Sequence, residues 1–595
     1  MPYPCLLNLV RLVGGTMVKH IVSPMQLTGR GAIHVPARVC SAYEEAISAL
    51  NDLQSNAAVL EKARREKSSN AHKNILATAK WLEKLNISVG DLDELNIIHV
   101  SGTKGKGSTC AFTESILRHH GLKTGFYSSP HLIAARERIR INGEPLSKQT
   151  FASYFWDVYT KLQKKDGKEE EMPTYFKFLT VMAFYVFLHE KVDVAVIEVG
   201  VGGLYDCTNV IRKPTVVGVT SLGFDHIGVL GDSIEKIALQ KAGIFKPNIP
   251  AFTVPQIEGA LPVLHQRALE IGCSLHVVPP METYEWSTYP VELGIPGAVQ
   301  SINASLALQL TKMWLNQRSK YETEQLPIPD GTGKTPSLPA DMENGYHFTP
   351  PLAIPFKVTS LFANGLQQCV WPGRFQVLKR GSTTYYLDGA HTGESMEACI
   401  RWFKEECANE EKRTRGSVFR VLLFNCTGER KAETLLAPLT NKCFDLAVFC
   451  PNKVFITKDC ASDQSNFTVD PQQEMHQCEV NMKVWCHMLS SIREEKIAAN
   501  PSTSEYHSSS IHANIDMDCV IFPCILDALC WLSQGRETTF QSELCEFKHI
   551  VPPAKLMEAS QLQILVTGSL HLVGGVLAVI DPEISCQSKC VVNGV

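Results

Sequence analysis

Residues 102–109 read GTKGKGST, a glycine-rich stretch that carries two lysines and three hydroxyl residues. This composition suits a phosphate-binding loop, because glycines let backbone N–H groups approach phosphate oxygens. The spacing differs from the usual P-loop, since two residues rather than four separate the first glycine from the Gly-Lys pair. We predict that Lys106 binds the β- and γ-phosphates of a nucleotide and that Ser108 offers its hydroxyl to phosphate or Mg²⁺. The alternative is a flexible turn.

Two further polar residues follow strand-like apolar runs. Glu198 lies near the end of the run VDVAVIEVG at 192–200, and His226 follows the run at 215–223. The carboxyl ends of parallel strands form the ligand-binding edge of an α/β sheet. An acid at that edge is placed like the one that holds Mg²⁺ in NTPases. We therefore predict Glu198 and His226 as Mg²⁺ or phosphate contacts; the alternatives are an acid entering a surface loop and a structural histidine.

A second group of candidates lies in the last third of the chain. Arg374 in WPGRF can bind a phosphate through two parallel hydrogen bonds. Asp388 ends a predicted strand in YYLDGAHT, and His391 follows it. The alternative for both segments is a simple turn. Lys241 lies in a helical run, and the local pattern alone predicts a surface lysine.

Alternating strands and helices must position these residues. In the first half the pattern predicts strands at 96–100, 123–129, 192–200 and 215–223 and helices at 108–119 and 175–190. A second alternating block begins near Trp371, with strands at 383–387, 418–424, 446–449 and 563–566. We predict an α/β protein: an N-terminal P-loop-type ATPase domain with a mostly parallel sheet, and a smaller C-terminal Rossmann-like α/β domain.

The predicted boundaries follow changes in composition. Residues 1–43 contain four basic residues and no acid, since the first acid is Glu44, which is typical of a mitochondrial transit peptide. The alternatives are an unstructured tail and a secretory signal. Met17 and Met25 offer later starts for a cytosolic form. An ATP-binding domain is predicted over 44–315, a Pro- and Gly-rich insertion or linker over 316–360, and the second domain over 361–595, with a polar mobile loop at 453–516.

Composition excludes several classes of protein. A net charge of -4 gives no reason to expect a nucleic-acid partner. The apolar stretch at 519–532 is too short to span a bilayer, which needs about 20 apolar residues. The 20 cysteines form no CxxC pair, which favours reduced thiols over a disulfide scaffold or a zinc site.

Eight segments, taken together and in order, resemble the Mur ligase superfamily and, within it, the eukaryotic branch of the folylpolyglutamate synthase family. They span nearly the whole chain after residue 43: GTKGKGS (102–108), YSSPHL with ERIRING (127–132 and 137–143), EVGVGGLYDCTN (198–209), TSLGFDHIGVLGD (220–232), QKAGI (240–244), WPGR (371–374), LDGAHT (387–392) and LVTGSLHLVGG (565–575).

The resemblance implies a role for each matching residue. The residues that it places on ATP are Gly105, Lys106, Gly107, Ser108, Asn303, Arg374 and Asp388. It implies Mg²⁺ ligands at Ser129, Glu198 and His226, with two ions expected and a monovalent cation allowed. Lys241 matches a lysine that related ligases carry as a carbamate. The catalytic residues that the resemblance implies are Lys106, Lys241, Asp388 and His391. The segment 131–143 matches the one that covers the pterin-bearing substrate.

The resemblance also implies an activity. ATP would phosphorylate the γ-carboxylate of the terminal glutamate of a folate, and free L-glutamate, bound near Asp388 and His391, would attack the acyl phosphate. The expected partners are (tetrahydro)folate polyglutamates and L-glutamate, and the expected protein is a monomer of the mitochondrial matrix, with inner-membrane association left open. Two alternatives stay open: a dihydrofolate synthase that adds the first glutamate to dihydropteroate, and a nucleotide-binding module without ligase activity.

Three residues depart from the pattern of many bacterial members. Leu204 stands where they have arginine, Gln240 where they have glutamate, and Val299 where they have histidine. The first two resemble variation of the eukaryotic branch. Val299 puts some nucleotide contacts in doubt.

Overall fold

The structure is a computed structural model of the 595-residue chain. It describes residues 41–54, 73–163, 172–287, 292–323, 350–413, 415–427, 430–440, 443–455, 463, 471–499, 519–534, 536 and 550–581. These residues form two compact units. The first unit comprises the described residues of Ser41–Trp371 together with Asp463, and the second comprises the described residues from Pro372 onward other than Asp463.

The first unit is built on an eight-stranded, mostly parallel sheet. Its strand order is β4-β3-β2-β5-β1-β6-β7-β8, in which β3 pairs antiparallel with both β2 and β4 and all other pairs are parallel. The strands are β1 (Ile98–Ser101), β2 (Thr124–Tyr127), β3 (Ile139–Ile141), β4 (Glu144–Pro145), β5 (Val194–Glu198), β6 (Val216–Val219), β7 (Ala251–Thr253) and β8 (Leu275–Val277). A separate parallel pair is formed by β9 (Glu285–Trp286) and β10 (Lys357–Val358).

Helices cover both faces of this sheet. They are Ala42–Asp52, Lys73–Lys84, Lys106–His119, Lys148–Gln163, Tyr175–Glu190, Ile227–Leu230, Ile234–Lys241, Ala260–Ile271, Gln300–Thr323 and Ser360–Gln367. Apolar residues of the helix Tyr175–Glu190 fill one core, and those of Lys106–His119 and Gln300–Thr323 fill another. Every residue of β1, β5 and β6 is buried, as expected for parallel strands covered on both faces.

The second unit contains a six-stranded sheet with the order β11-β12-β16-β13-β14-β15. The strands are β11 (Gln376–Arg380), β12 (Thr383–Leu387), β13 (Val418–Phe424), β14 (Leu446–Phe449), β15 (Cys519–Ile521) and β16 (Gln561–Thr567); all pair in parallel except the edge strand β11. The helices are Gly393–Glu411, Ala432–Leu436, Pro471–Ala499, Ile525–Ser533, Ala554–Glu558 and Leu570–Ile580. The predicted fold class, with a mostly parallel α/β unit and a second α/β unit, is confirmed.

The prediction of a mobile loop over 453–516 is wrong for Pro471–Ala499, which forms a 29-residue helix. Cys478, Met482 and Trp485 of this helix are buried in the core of the second unit. They lie four and three positions apart, which places them on one narrow helical stripe. Val484 and Leu489 are partly buried against the same core, and many of the other positions are polar, which is why the segment resembles a loop in composition.

Other boundaries also differ from expectation. The helix Gln300–Thr323 continues to Thr323, inside the predicted linker. Residues 1–40 of the predicted transit peptide lie outside the described residues, and Ser41 caps the first helix, where its hydroxyl accepts the Glu44 N–H. None of the described helices combines the length and hydrophobicity that crossing a bilayer requires.

Candidate active site

The glycine-rich loop lies between β1 and the helix Lys106–His119, so the predicted strand–loop–helix order is confirmed. Gly105 precedes the helix with φ +83°, a left-handed conformation that favours glycine. The N–H groups of Thr103 and Lys104 donate to the Ser221 carbonyl at 3.0 Å each. The first N–H groups of a helix have no acceptor within the helix. Those of the turn that begins at Lys106 can therefore bind phosphate oxygens, aided by the helix dipole.

The neighbours of this loop leave no room for a side chain at two of its glycines. A Cβ on Gly102 would lie 1.8 Å from Thr220 Oγ1, and one on Gly105 would lie 2.1 Å from Asn303 Oδ1. The structure thus places Asn303 directly against the loop. Asn303 is one of the residues that the resemblance assigns to the nucleotide. Shape alone therefore requires glycine at these two positions.

Lys241 is buried, with 3% of its surface exposed, so the prediction of a surface lysine from the local pattern is wrong. Its Nζ donates a hydrogen bond of 2.6 Å to the Gly102 carbonyl of the loop. Burial, and next the charge of nearby Lys106, lower the pKa of the Lys241 amine well below its usual value. The end of the helix Ile234–Lys241 therefore supplies a readily deprotonated amine beside the phosphate loop.

Ser129 and Glu198 lie together at one edge of the sheet. Glu198 is the last residue of β5, and Ser129 follows the neighbouring parallel strand β2. The Ser129 N–H donates to Glu198 Oε2 at 3.2 Å, and Glu198 is buried. The strand order, rather than the distance along the chain, brings these two predicted metal ligands together.

The His226 side chain is more exposed than that of Glu198. Its Nε2 lies 3.8 Å from Oδ2 of the neighbouring Asp225. Its backbone is left-handed, with φ +51°, at the start of the short helix Ile227–Leu230. Among the described residues, no three His, Cys, Asp or Glu side chains are grouped closely enough to hold a metal ion.

Asp206 near the phosphate loop was missed by the sequence reasoning. Its carboxylate accepts hydrogen bonds from Val201 N–H at 3.1 Å, Thr208 N–H at 2.9 Å and Thr208 Oγ1 at 2.6 Å. Burial raises the pKa of Asp206, and these hydrogen bonds and Lys106 oppose the rise. The available signal was an Asp two residues before a threonine, the pattern of a side-chain cap.

Backbone contacts explain how Leu204 and Gln240, which depart from the pattern of many bacterial members, are accommodated. The Leu204 N–H donates to the Gln240 carbonyl at 2.8 Å, and Asn209 Nδ2 donates to the carbonyls of Leu204 and Gly243 at 3.0 and 3.1 Å. Because these bonds use main-chain atoms of 204 and 240, the contact does not depend on which side chains stand there. Val299 is exposed, and nothing in the structure explains why valine stands at this position.

The segment 131–143 has a well-defined shape. The Glu137 carboxylate accepts the N–H groups of Leu132, Ile133 and Ala134 at 2.9, 3.1 and 2.8 Å. The Arg140 guanidinium lies 4.9 Å from the centre of the Trp371 ring, within the range of a cation–π contact. One buried carboxylate therefore holds three consecutive backbone donors in a tight turn.

The second unit brings Arg374, Asp388 and His391 close together. Buried Asp388 accepts the N–H groups of Phe375 at 3.1 Å and Ala390 at 3.0 Å. His391 Nδ1 lies 2.8 Å from the Gly389 carbonyl. Burial raises the pKa of Asp388, and Arg374, the two backbone donors and His391 oppose the rise. This turn is a polar site at the carboxyl end of β12.

Comparison with known proteins identifies the family. The Mur ligase middle domain model matches residues 100–254. The chain is 46% identical over 570 residues to the human protein named folylpolyglutamate synthase, mitochondrial, covering 94% of this chain and 95% of that protein. The chain belongs to the folylpolyglutamate synthase family. An Arabidopsis thaliana folylpolyglutamate synthase is 36% identical over 597 residues, covering 94% of this chain and 93% of that one.

Solved structures support the same fold. The chain is similar to a Mycobacterium tuberculosis folylpolyglutamate synthase complexed with ADP and AMPPCP, with a TM-score of 0.57 and 20% identity, over 88% of this chain and 97% of that one. At that identity the likeness shows the fold alone. Family membership confirms the resemblance seen in the sequence, and the protein is an ATP-dependent ligase.

Proposed function

We propose that this protein lengthens the glutamate tail of folates, adding L-glutamate to the γ-carboxylate of the terminal glutamate and converting ATP to ADP and phosphate. The observation that carries the proposal is the phosphate loop with its glycines closed in by Thr220 and Asn303 and its carbonyl bound to Lys241. The family supports it, because relatives of high identity are named for this synthesis. Folate retention for one-carbon metabolism would follow from the longer tail.

The first step is phosphoryl transfer. A γ-carboxylate oxygen of the folate attacks the terminal phosphorus of ATP, ADP leaves, and an acyl phosphate forms. Lys106, Ser108 and the N–H groups of the turn that follows Gly105 would hold the phosphates in line, which is most of what this reaction asks of a protein. Asn303, Arg374 and Asp388 are the further nucleotide contacts that we propose.

The second step forms the amide. The neutral amine of L-glutamate attacks the acyl carbon, the bond to phosphate breaks, and inorganic phosphate leaves. We propose that the glutamate binds near Asp388 and His391, because an amine needs an oxygen acceptor and its proton needs a base. The imidazole of His391, oriented by the Gly389 carbonyl, is suited to accept that proton.

We propose that Ser129, Glu198 and His226 hold Mg²⁺ against the phosphates. A hydroxyl and a carboxylate are oxygen ligands, which Mg²⁺ prefers, and this ion usually takes one or two carboxylates with phosphates and water completing its shell. When bound, the ions would neutralise phosphate charge. Glu198→Ala should change the Mg²⁺ dependence of activity, and an unchanged dependence would contradict this assignment.

We also propose that Lys241 carries a carbamate. Carbon dioxide reacts with neutral amines, and burial beside Lys106 favours the neutral form of this one. Carbon-13 NMR of protein equilibrated with labelled carbon dioxide should show one carbamate signal that Lys241→Ala removes. A spectrum that is the same for both proteins would rule the modification out.

We propose a mitochondrial location, as in the relatives named mitochondrial, with the transit peptide within residues 1–40, because Ser41 caps the first helix and Tyr43 is buried in the first unit. A matrix protein, with a cytosolic form started at Met17 or Met25, is expected. Fractionation of cells that express the full chain or the chain without residues 1–40 should place the first in mitochondria and the second in cytosol. Light scattering should find a monomer.

Incorporation of labelled glutamate tests the activity directly. Purified protein with ATP and Mg²⁺ should label tetrahydrofolate and its short polyglutamates, with one ADP formed per glutamate added. Labelling of dihydropteroate instead would support a dihydrofolate synthase. ATP hydrolysis that does not depend on folate or glutamate would support a nucleotide-binding module and contradict the proposal.

A further inference from the structure

Asp463 makes three hydrogen bonds within the first unit, to residues that lie far from it in the sequence. Its Oδ1 accepts the Tyr43 hydroxyl at 2.6 Å and the Ala135 N–H at 2.7 Å. Its backbone carbonyl lies 3.0 Å from His131 Nε2. Tyr43 and Ala135 lie 420 and 328 positions away in sequence. One aspartate therefore binds the first helix of the unit and two residues of the 131–143 segment.

The hydrogen-bond directions are mutually consistent. Arg138 Nε donates to His131 Nδ1 at 3.0 Å, so that nitrogen is an acceptor and the other ring nitrogen carries the proton. His131 Nε2–H can then donate to the Asp463 carbonyl. Two donors on Oδ1 require the carboxylate to act as an acceptor, and hydrogen bonds to an ionised group are stronger than neutral ones.

The 131–143 segment is held from two sides. Within the segment, the Glu137 carboxylate binds the N–H groups of Leu132, Ile133 and Ala134, as described above. The next N–H group, that of Ala135, donates to Asp463 instead. Tyr43 is itself fixed, since it is buried and its ring lies edge-on to Phe151 at 5.6 Å between centroids. The N–H groups of four consecutive residues, 132–135, thus donate to carboxylates. The first three donate to Glu137 of the same segment, and the fourth donates to Asp463.

We propose that Asp463, fixed by Tyr43, is a positioning residue that holds residues 131–135 in the shape that binds the pterin-bearing substrate. The inference rests on the proposed function, because it takes the 131–143 segment as the one that covers the folate. Neither Tyr43 nor Asp463 is assigned to ATP, metal or glutamate. Their loss should therefore affect the folate and leave the nucleotide steps unchanged.

Three substitutions test the arrangement. Asp463→Ala removes the acceptor of both the tyrosine and the Ala135 N–H, whereas Asp463→Asn keeps a neutral oxygen in its place. Tyr43→Phe removes one donor and keeps the ring against Phe151. The matched control is the tyrosine–aspartate pair Tyr185 and Asp157 of the same unit, whose hydrogen bond lies between the helices Lys148–Gln163 and Tyr175–Glu190.

The readout is steady-state kinetics of glutamate incorporation. Asp463→Ala should raise the KM for tetrahydrofolate about tenfold, the effect expected when a hydrogen bond to a charged group is lost. Asp463→Asn and Tyr43→Phe should raise it less, and the KM for ATP and the kcat should stay near wild type. Tyr185→Phe and Asp157→Ala should leave the KM for tetrahydrofolate unchanged.

Trypsin gives a readout that does not depend on catalysis. Arg136 and Arg138 are buried, so wild-type protein should resist cleavage after them. Asp463→Ala should be cut there faster, with the sites mapped by mass spectrometry, and tetrahydrofolate should restore protection. A thermal unfolding midpoint close to wild type would show that the variant is folded.

The outcomes separate the inference from the proposed function. Active wild-type protein together with an Asp463→Ala variant of unchanged folate KM would overturn the inference alone. Faster tryptic cleavage with unchanged KM, or equal rises in the KM values for folate and ATP, would overturn it too. Wild-type protein that incorporates no glutamate into any folate would overturn the proposed function and this inference together.

Discussion

The phosphate loop of the first unit and the Asp388 turn of the second both follow a buried parallel strand, yet they are fixed in different ways. The loop after β1 is fixed by contact, since a Cβ on Gly102 would overlap Thr220 Oγ1 at 1.8 Å. The turn after β12 is fixed by one carboxylate that binds two backbone N–H groups. The first site therefore depends on the absence of side chains, and the second depends on the presence of one.

The largest effect is expected from charge at the phosphate loop. Lys106→Ala should lower kcat/KM for glutamate incorporation by about 10³-fold or more, because an aligned donor to the reacting phosphoryl group is lost. Lys104→Ala, in the same loop, is the matched control and should lose far less. Near-normal activity of the Lys106 variant would refute the role of this loop.

Gly102 follows β1 and Gly389 follows β12, and substitution of these two glycines by alanine should destabilise the protein to different degrees. Gly102→Ala should lower the free energy of unfolding by about 3 kcal/mol, because overpacking adds to an unfavourable backbone conformation with φ +144°. A Cβ on Gly389 would meet Leu570 Cδ1 at 2.8 Å and an Arg374 Nη at 2.9 Å, ends of side chains that can move. Gly389→Ala should therefore cost about 1 kcal/mol. Equal losses in urea unfolding would contradict the comparison.

The carboxylate of the second site can be tested with an isosteric change. Asp388→Asn should destabilise the second unit by about 2 kcal/mol, because the amide nitrogen must face one of the two backbone N–H donors and leaves it without an acceptor. Glu397→Gln, an exposed position on the next helix, is the control and should cost almost nothing. Thermal unfolding measures both variants, and an Asp388→Asn midpoint equal to that of the control would show that the turn does not need both oxygens of Asp388 as acceptors.

The strand before the phosphate loop contains a histidine, and the strand before the Asp388 turn contains none. Burial lowers the pKa of His99 in β1 to about 3, and β12 contains no histidine. Its pKa in an unfolded chain is about 6.5. Between these values the unfolded chain binds a proton that the folded chain does not, so stability should fall as pH drops below 6.5, by up to about 1.4 kcal/mol per pH unit.

His99→Gln, which can keep the bond to Thr208, should flatten this dependence. Urea unfolding at pH 7, 6 and 5 measures it, and parallel curves for the two proteins would contradict the assignment.

Much of the fold could be predicted because its signals are local. The apolar run VDVAVIEVG predicted a buried strand, and β5 is observed inside it at Val194–Glu198. The helix predicted at 175–190 is observed with those bounds. The helix Pro471–Ala499 could not be recognised, because its few fully buried residues lie among many polar ones.

The candidate site was harder to predict than the fold. A lysine inside an amphipathic run is usually exposed, and only the packing of Ile234–Lys241 shows that Lys241 points to the Gly102 carbonyl. Asp463 gave no signal, because its partners lie more than 300 residues away. No periodicity of the sequence reports contacts at that separation.

From the amino-acid sequence alone we could predict the candidate residue types, the strand–loop–helix order around GTKGKGST and the family that the ordered segments indicate. Those features depend on local backbone preference and on residues that are neighbours in the chain. Tertiary contacts bring Ser129 to Glu198, bury Lys241 and place Asp463 against Tyr43 and Ala135. These depend on strand order and on long-range packing, which arise only when the chain folds.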